Sequence, residues 1–202
     1  RLIGKLKHVE NFWGHYVEVS IIGMAIKHGY SVELEPPTQD GHRCEAIIIR
    51  DGDIVYLECK YSDPEHSLKK ISDKWYRVFN KCCLREEQLS EEEEQILKNG
   101  IPMDCKDEFK KIEDKIHEGA NQLHYDFPGI LFIESLLVCN SAKARHHFKE
   151  FLSENEIKHL SALIILQGSF SADRGMEYKK MVIPNPRAKW KYEKLGIREI
   201  MQ

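Results

Sequence analysis

The chain has 202 residues, 30 Lys plus Arg against 33 Asp plus Glu, and a formal net charge of −3. That length suits one domain with an ordinary core and room for an insertion. Hydrophobic residues at 42% and charged residues at 31% exclude a disordered tail, no apolar run approaches the ~20 residues of a membrane span, and slight acidity argues against a histone-like nucleic-acid binder while leaving a local basic groove open.

The chain begins at Arg1, which suits a piece of a longer protein, and no signal peptide is visible. The six cysteines, Cys44, Cys59, Cys82, Cys83, Cys105 and Cys139, contain no C-x-x-C pair. A reduced, cytoplasmic setting is therefore expected. A zinc site from Cys82, Cys83, Cys105 and a histidine is a weak alternative, because the spacing matches no zinc pattern.

Val9 to His28 reads as a helix, with Phe12, Tyr16, Val19, Gly23 and Ile26 at helical spacing. Trp13, Val17, Ile21 and Met24 widen the apolar surface, so much of this helix should be buried. Tyr30 to Glu35 alternates like a strand and ends at Pro36-Pro37. Cys44 to Arg50 and Asp53 to Lys60 are two further strands, joined by Asp51-Gly52. Asp-Gly between apolar runs predicts a two-residue hairpin turn, since both positions need positive φ.

Residues 61–103 read as a helical insertion. Leu68 to Leu89 is helical, and Ser90 opens a capping-box pattern that starts a short helix to Leu97. Asp104 to His124 is a helix with Phe109, Ile112, Ile116, Ala120 and Leu123 on one face. Gly129 to Cys139 is an apolar strand, and Ser141 caps a helix to about Leu152. Leu160 to Gln167 and Tyr178 to Ile183 read as a strand pair. The order is helix, three strands, helices, strand, helix, strand, strand, in one domain over 1–202.

With Asp51 and Gly52 as the two loop residues, Ile49 faces Ile54, Ile47 faces Tyr56 and Glu45 faces Glu58. Lys60 shares that face, while Cys44, Ala46, Ile48, Val55, Leu57 and Cys59 fall on the other. Directly opposed side chains have Cβ atoms ~4.5–5.5 Å apart, where like charges destabilise a sheet. A divalent cation between the two carboxylates resolves the conflict, and Mg²⁺ or Mn²⁺ prefers such oxygen ligands. The plainer alternative is a solvent-exposed hairpin end with Lys60 in an ordinary ion pair. A third acid, Glu18, lies among Val17, Val19, Ile21 and Ile22, where an unpartnered Glu is seldom buried. It is either part of a site or a helix-edge residue paired with His15 or Lys27.

A helix carrying Glu18, an acid at the start of a hairpin, and Glu58-Cys59-Lys60 ending its second strand resemble the PD-(D/E)XK nuclease superfamily. The resemblance covers about residues 9–140. It implies an α/β, restriction-endonuclease-like αβββαβ core, with a mixed central sheet flanked by helices. It also implies a metal-dependent endonuclease that hydrolyses phosphodiester bonds in nucleic acid, DNA rather than RNA. Glu45, Glu58 and the Cys59 carbonyl would hold Mg²⁺ or Mn²⁺, and Glu18 would add a ligand or hold a metal-bound water. The metal would polarise the phosphoryl oxygen, and Lys60 would orient water or stabilise the transition state. The family usually has Asp where this chain has Glu45, so Asp40 competes as the first acid. Gln122, in a helix after the Glu-x-Lys strand, matches a further family feature. Nucleases of this fold often dimerise, and no membrane contact is expected.

For nucleic-acid contacts, Lys69, Lys70, Lys74, Arg77, Lys81 and Arg85 form one basic group. Lys106, Lys110, Lys111 and Lys115 form another, which reads better as a solvated helix face. Trp75, Tyr76 and Trp190 are either core or base-stacking residues, and His146-His147 reads as surface or core decoration. The competing functional class is a catalytically inactive module of the same fold that binds nucleic acid or protein. A hydrolase for a small phosphorylated molecule lacks a Gly-rich phosphate cradle.

Overall fold

The computed structural model of the protein describes residues 12–62, 78, 90–94, 105–135, 142–171 and 175–197. Among them the chain runs α1 (Phe12–Lys27), β1 (Ser31–Leu34), β2 (Ala46–Arg50), β3 (Asp53–Tyr61), α2 (Cys105–Ala120), β4 (Gly129–Glu134), α3 (Ala142–Glu154), β5 (Leu160–Ser171) and β6 (Gly175–Pro184). This is the predicted element order and an α/β fold. Most of the predicted insertion lies outside the described residues, including its first basic group, Trp75, Tyr76, Cys82 and Cys83. Residues 136–140, the expected end of the β4 strand with Cys139, also lie outside them. No described helix is long and apolar enough to cross a membrane.

The six strands form one mixed sheet in the order β1-β2-β3-β4-β5-β6. Strands β3, β4 and β5 are parallel, while β1, β2 and β6 join as antiparallel neighbours. All six residues of β4 are buried, as a central parallel strand with both faces covered requires.

Each face has its own core. On one side α2 and α3 place Phe109, Ile112, Ile116, Phe148 and Leu152 against Ile47, Tyr56, Leu131 and Ile165. The predicted stripe of α2 is the buried one. Burying each large apolar side chain there contributes ~1.5–3 kcal/mol. On the other side α1 packs Val17, Ile21 and Ala25 against Ile48, Val55, Leu57 and Phe132.

The face of α1 differs from the expected one. Tyr16 and Val19 are only half-buried, Gly23 is exposed, and Ile26 is 59% exposed. Val17, Ile21 and Ala25 make the contact instead. A helix apolar nearly all round carries no periodic signal that selects a face.

The β2–β3 hairpin follows its turn. Asp51 and Gly52 have φ of 54° and 89°, the positive pair a two-residue loop requires. Arg50 pairs Asp53, Ile49 pairs Ile54, and Ile47 pairs Tyr56, the expected register. The ladder stops at Ala46, so Cys44 and Glu45 precede the strand. Cys44 corrects the expectation: it packs with Ile47 and Tyr56 on the α2 side, not with Leu57. Strict alternation does not extend past the last ladder pair.

The predicted capping box is present. Ser90 N donates to Glu93 Oε2 at 2.9 Å, and Glu93 N donates to Ser90 Oγ at 3.3 Å.

Candidate active site

Strand β3 crosses the middle of the sheet, between β2 and β4. Its even-numbered residues Tyr56, Glu58 and Lys60 face α2. The carboxylate of Glu58 is nearly sealed, with 1% of the residue exposed. Lys60 Nζ donates to Glu58 Oε1 at 2.8 Å, and the backbone N of Glu45 donates to Glu58 Oε2 at 3.1 Å. Both oxygens of Glu58 therefore have partners. The cation at this carboxylate is Lys60, as in the plainer alternative, but the hairpin end is buried rather than open.

Helix α2 supplies the roof. Lys60 also donates to Gln122 Oε1 and lies 3.5 Å from Glu118 Oε1. Glu118 is in the last turn of α2, and Gln122 lies in the turn just after it, because the helix ends at Ala120 rather than at the expected His124. Gly119 lets the helix approach: a Cβ there would collide with Leu131 Cδ1 on β4. The turn after α2 is tied to the β1–β2 connection through Gln39, which donates to Leu123 O and accepts from Tyr125 N. Glu118 was not anticipated, being one acid among several on an amphipathic helix. Its spacing from Gln122 was the available signal.

Burial pushes the Glu58 carboxyl up to about 7. Lys60 opposes the rise, while the neighbouring Glu45 carboxylate adds to it. Burial works to lower Lys60, but Glu58 and Glu118 outweigh it and hold the ammonium above its ordinary value. The bond from Lys115 at 2.7 Å keeps Glu118 below the usual carboxylate range. Burial, then the Glu58 charge, raises both nearby thiols, Cys44 to about 12 and Cys59 well above normal. Neither is a nucleophile at neutral pH.

Glu18 comes from α1 rather than from β3 or α2. It is buried at 3% exposure on α1, whose core contacts lie on the Leu57 and Cys59 face. His15 Nδ1 is 3.4 Å from its Oε2. The charges of Glu58, Glu45 and Glu18 all act to raise the Cys59 thiol. Asp40 lies in a single 3-10 turn, Gln39–Gly41, before the strand.

Three lysines of the second cluster, Lys110, Lys111 and Lys115, form a paired helix face. Lys110 meets Glu113 and Asp114, Lys111 meets Glu108, and Lys115 meets Glu118. His147 packs on Phe109 and bonds Glu113, and His146 pairs with Glu150 on the surface.

Among the described residues, no three His, Cys, Asp or Glu side chains gather as a metal-holding group. The ladder ends at Ala46–Leu57, so Glu45 meets Glu58 through its backbone N rather than as the expected cross-strand pair, with its charge still acting on Glu58. A carboxylate so placed fits Mg²⁺, which keeps several waters and binds through one or two carboxylates plus substrate phosphate. The elevated Glu58, sharing its surroundings with the Glu45 charge, is the kind of carboxyl a second cation would ionise. Comparison with family models, with curated proteins and with solved structures yields no match.

Proposed function

We propose that the chain is a metal-dependent nuclease that hydrolyses phosphodiester bonds, in DNA rather than RNA, on a restriction-endonuclease-like fold. The observation that carries this reading is the sealed Glu58–Lys60 pair on β3, roofed by Gln122 and set beside Glu45. Glu58, Glu45 and the Cys59 carbonyl would hold Mg²⁺ or Mn²⁺. When bound, the metal supplies Lewis-acid polarisation and lowers the pKa of water.

The protein's own part is to hold charge in a water-poor setting. Lys60 keeps a fixed ammonium where negative charge develops on the phosphoryl oxygens. Gln122 and Glu118 give it two further partners, so it stays anchored when Glu58 turns to another cation. Glu18, buried on α1, would add a ligand or hold a metal-bound water.

A second reading is an inactive module of the same fold. It is favoured by one observation: both Glu58 oxygens are already satisfied within the protein. Calorimetric titration with Mn²⁺ separates the two. The nuclease binds Mn²⁺ and loses that binding in Glu58→Ala. A chain that binds nucleic acid but no Mn²⁺ is the module.

A further inference from the structure

At the hairpin-turn end of the sheet, well away from Glu58, lies a cavity of about 420 Å³. Asp53 and Glu58 are five residues apart on β3, so roughly 17 Å of strand separates the two places. One wall is the β3 start with Ile54, together with Phe127. The other is the segment Lys189–Leu195.

That second wall is anchored at both ends. Asn185, 2% exposed, donates through Nδ2 to Ile157 O and Leu160 O, each at 2.8 Å. Lys189 N then donates to Lys158 O at 2.7 Å. Tyr192 is buried in the α1-side core. Trp190, half-buried between these anchors, is held on the cavity rather than packed in the core.

The charges are unbalanced. Lys189, Lys191 and Lys194 line the cavity with Asp53 as the one carboxylate among its described lining residues. Lys191 Nζ is committed to Pro186 O at 2.7 Å. Lys189 Nζ sits 4.4 Å from the Trp190 ring centroid, so a cation and an indole are presented together. A ligand with a flat ring and an adjacent anionic group meets both at once. The volume suits one small ligand.

We propose that this cavity binds a nucleoside monophosphate unit, free or at a strand end, with phosphate on Lys189 and Lys194 and base against Trp190 and Phe127. Asp53 is placed to accept from a sugar hydroxyl or a base amine. The proposal does not depend on the Glu58 site being catalytic.

The test is calorimetric titration of the purified chain with deoxyadenosine monophosphate, deoxyadenosine, inorganic phosphate and a short 5′-phosphorylated oligodeoxyadenylate. The monophosphate should bind about tenfold or more tighter than either the nucleoside or phosphate alone. Lys189→Gln, Lys194→Gln and Trp190→Ala should each weaken it several-fold, and Glu58→Ala should leave it unchanged. Tighter binding of the oligonucleotide assigns the site to a strand end, and tighter binding of the monophosphate assigns it to a free nucleotide. No monophosphate binding at millimolar concentration, equal binding of phosphate or of the nucleoside alone, or indifference to the two lysine substitutions overturns the proposal. Because Glu58→Ala is read in the same series, loss of metal-dependent cleavage and loss of this binding are scored separately.

Discussion

Lys60 and Glu58 stand two positions apart on β3 and meet on one face, Nζ 2.8 Å from Oε1, with side chains only 12% and 2% exposed. The alternation of a strand places them together, and burial makes each dependent on the other. A buried ion pair is costly to break from one side, because the remaining charge loses its partner.

Lys60→Met should therefore destabilise the protein in a pH-dependent way. The Glu58 carboxyl, already raised to about 7 by burial, rises further without its cation. Below that pH the carboxyl is protonated in both proteins and the deficit is small. Above it the parent keeps the ion pair while the variant must bury a bare carboxylate or hold a proton. The gap should widen by about 1.4 kcal/mol by pH 8. Urea unfolding of both proteins at pH 5.5 and 8 reads it, and an equal deficit at both pH values contradicts the pairing.

Glu134 offers a second pH-linked group at the end of β4. It is 2% exposed, its Oε2 has no hydrogen-bond partner, and burial raises it to about 7. A carboxyl raised in the folded state stabilises most fully below its unfolded value. That contribution is lost as pH rises toward 7, because the native state binds the extra proton. Glu134→Gln should abolish this slope and gain up to about 3 kcal/mol relative to the parent between pH 4.5 and 8. Parallel unfolding curves for parent and variant across that window would show that Glu134 does not titrate there.

Asn185 should be a stability hot point. Its amide nitrogen serves two carbonyls, and its Oδ1 accepts from Arg187 N at 2.9 Å. Asn185→Ala removes these three bonds, and Ile157 O keeps only its bond from Leu160 N, at a cost of about 1–3 kcal/mol. Thermal or urea unfolding checks this, and a loss below about 0.5 kcal/mol would mean that water replaces the amide.

The site was legible where local rules decide position. Asp51-Gly52 set the hairpin turn, the turn set the register, and the register put Glu58 and Lys60 on one face. Gln122 entered through the family resemblance, and it does meet Lys60. Other placements depend on tertiary packing that spacing cannot carry. Cys44 turns to the α2 side because the ladder ends before it. The α1 helix is apolar around its circumference, so nothing in it specified Val17 and Ile21 as the contact. Glu134 closes an apolar run whose six residues are all buried, and only the packed sheet shows that a carboxyl is sealed there.

Gln122 and Glu118 should differ in their effect on cleavage. Gln122 bonds the Lys60 ammonium directly, whereas Glu118 sits at the rim and shares itself with Lys115. Positioning groups of this kind are worth about 10–100-fold, so Gln122→Ala should fall in that range. Glu118→Gln should cost less, with its main effect on pH dependence through Lys60. Equal losses in single-turnover cleavage would place Glu118 in direct contact with substrate instead.

Cleavage itself is the most direct measurement. Supercoiled and linear DNA are incubated with the purified chain and Mg²⁺ or Mn²⁺, beside Lys60→Ala and a chelator control. The Glu58–Lys60 account predicts metal-dependent cleavage by the parent, abolished by chelation and reduced at least about a hundredfold in Lys60→Ala. No cleavage with either metal, or cleavage by Lys60→Ala at the parent rate, would contradict it.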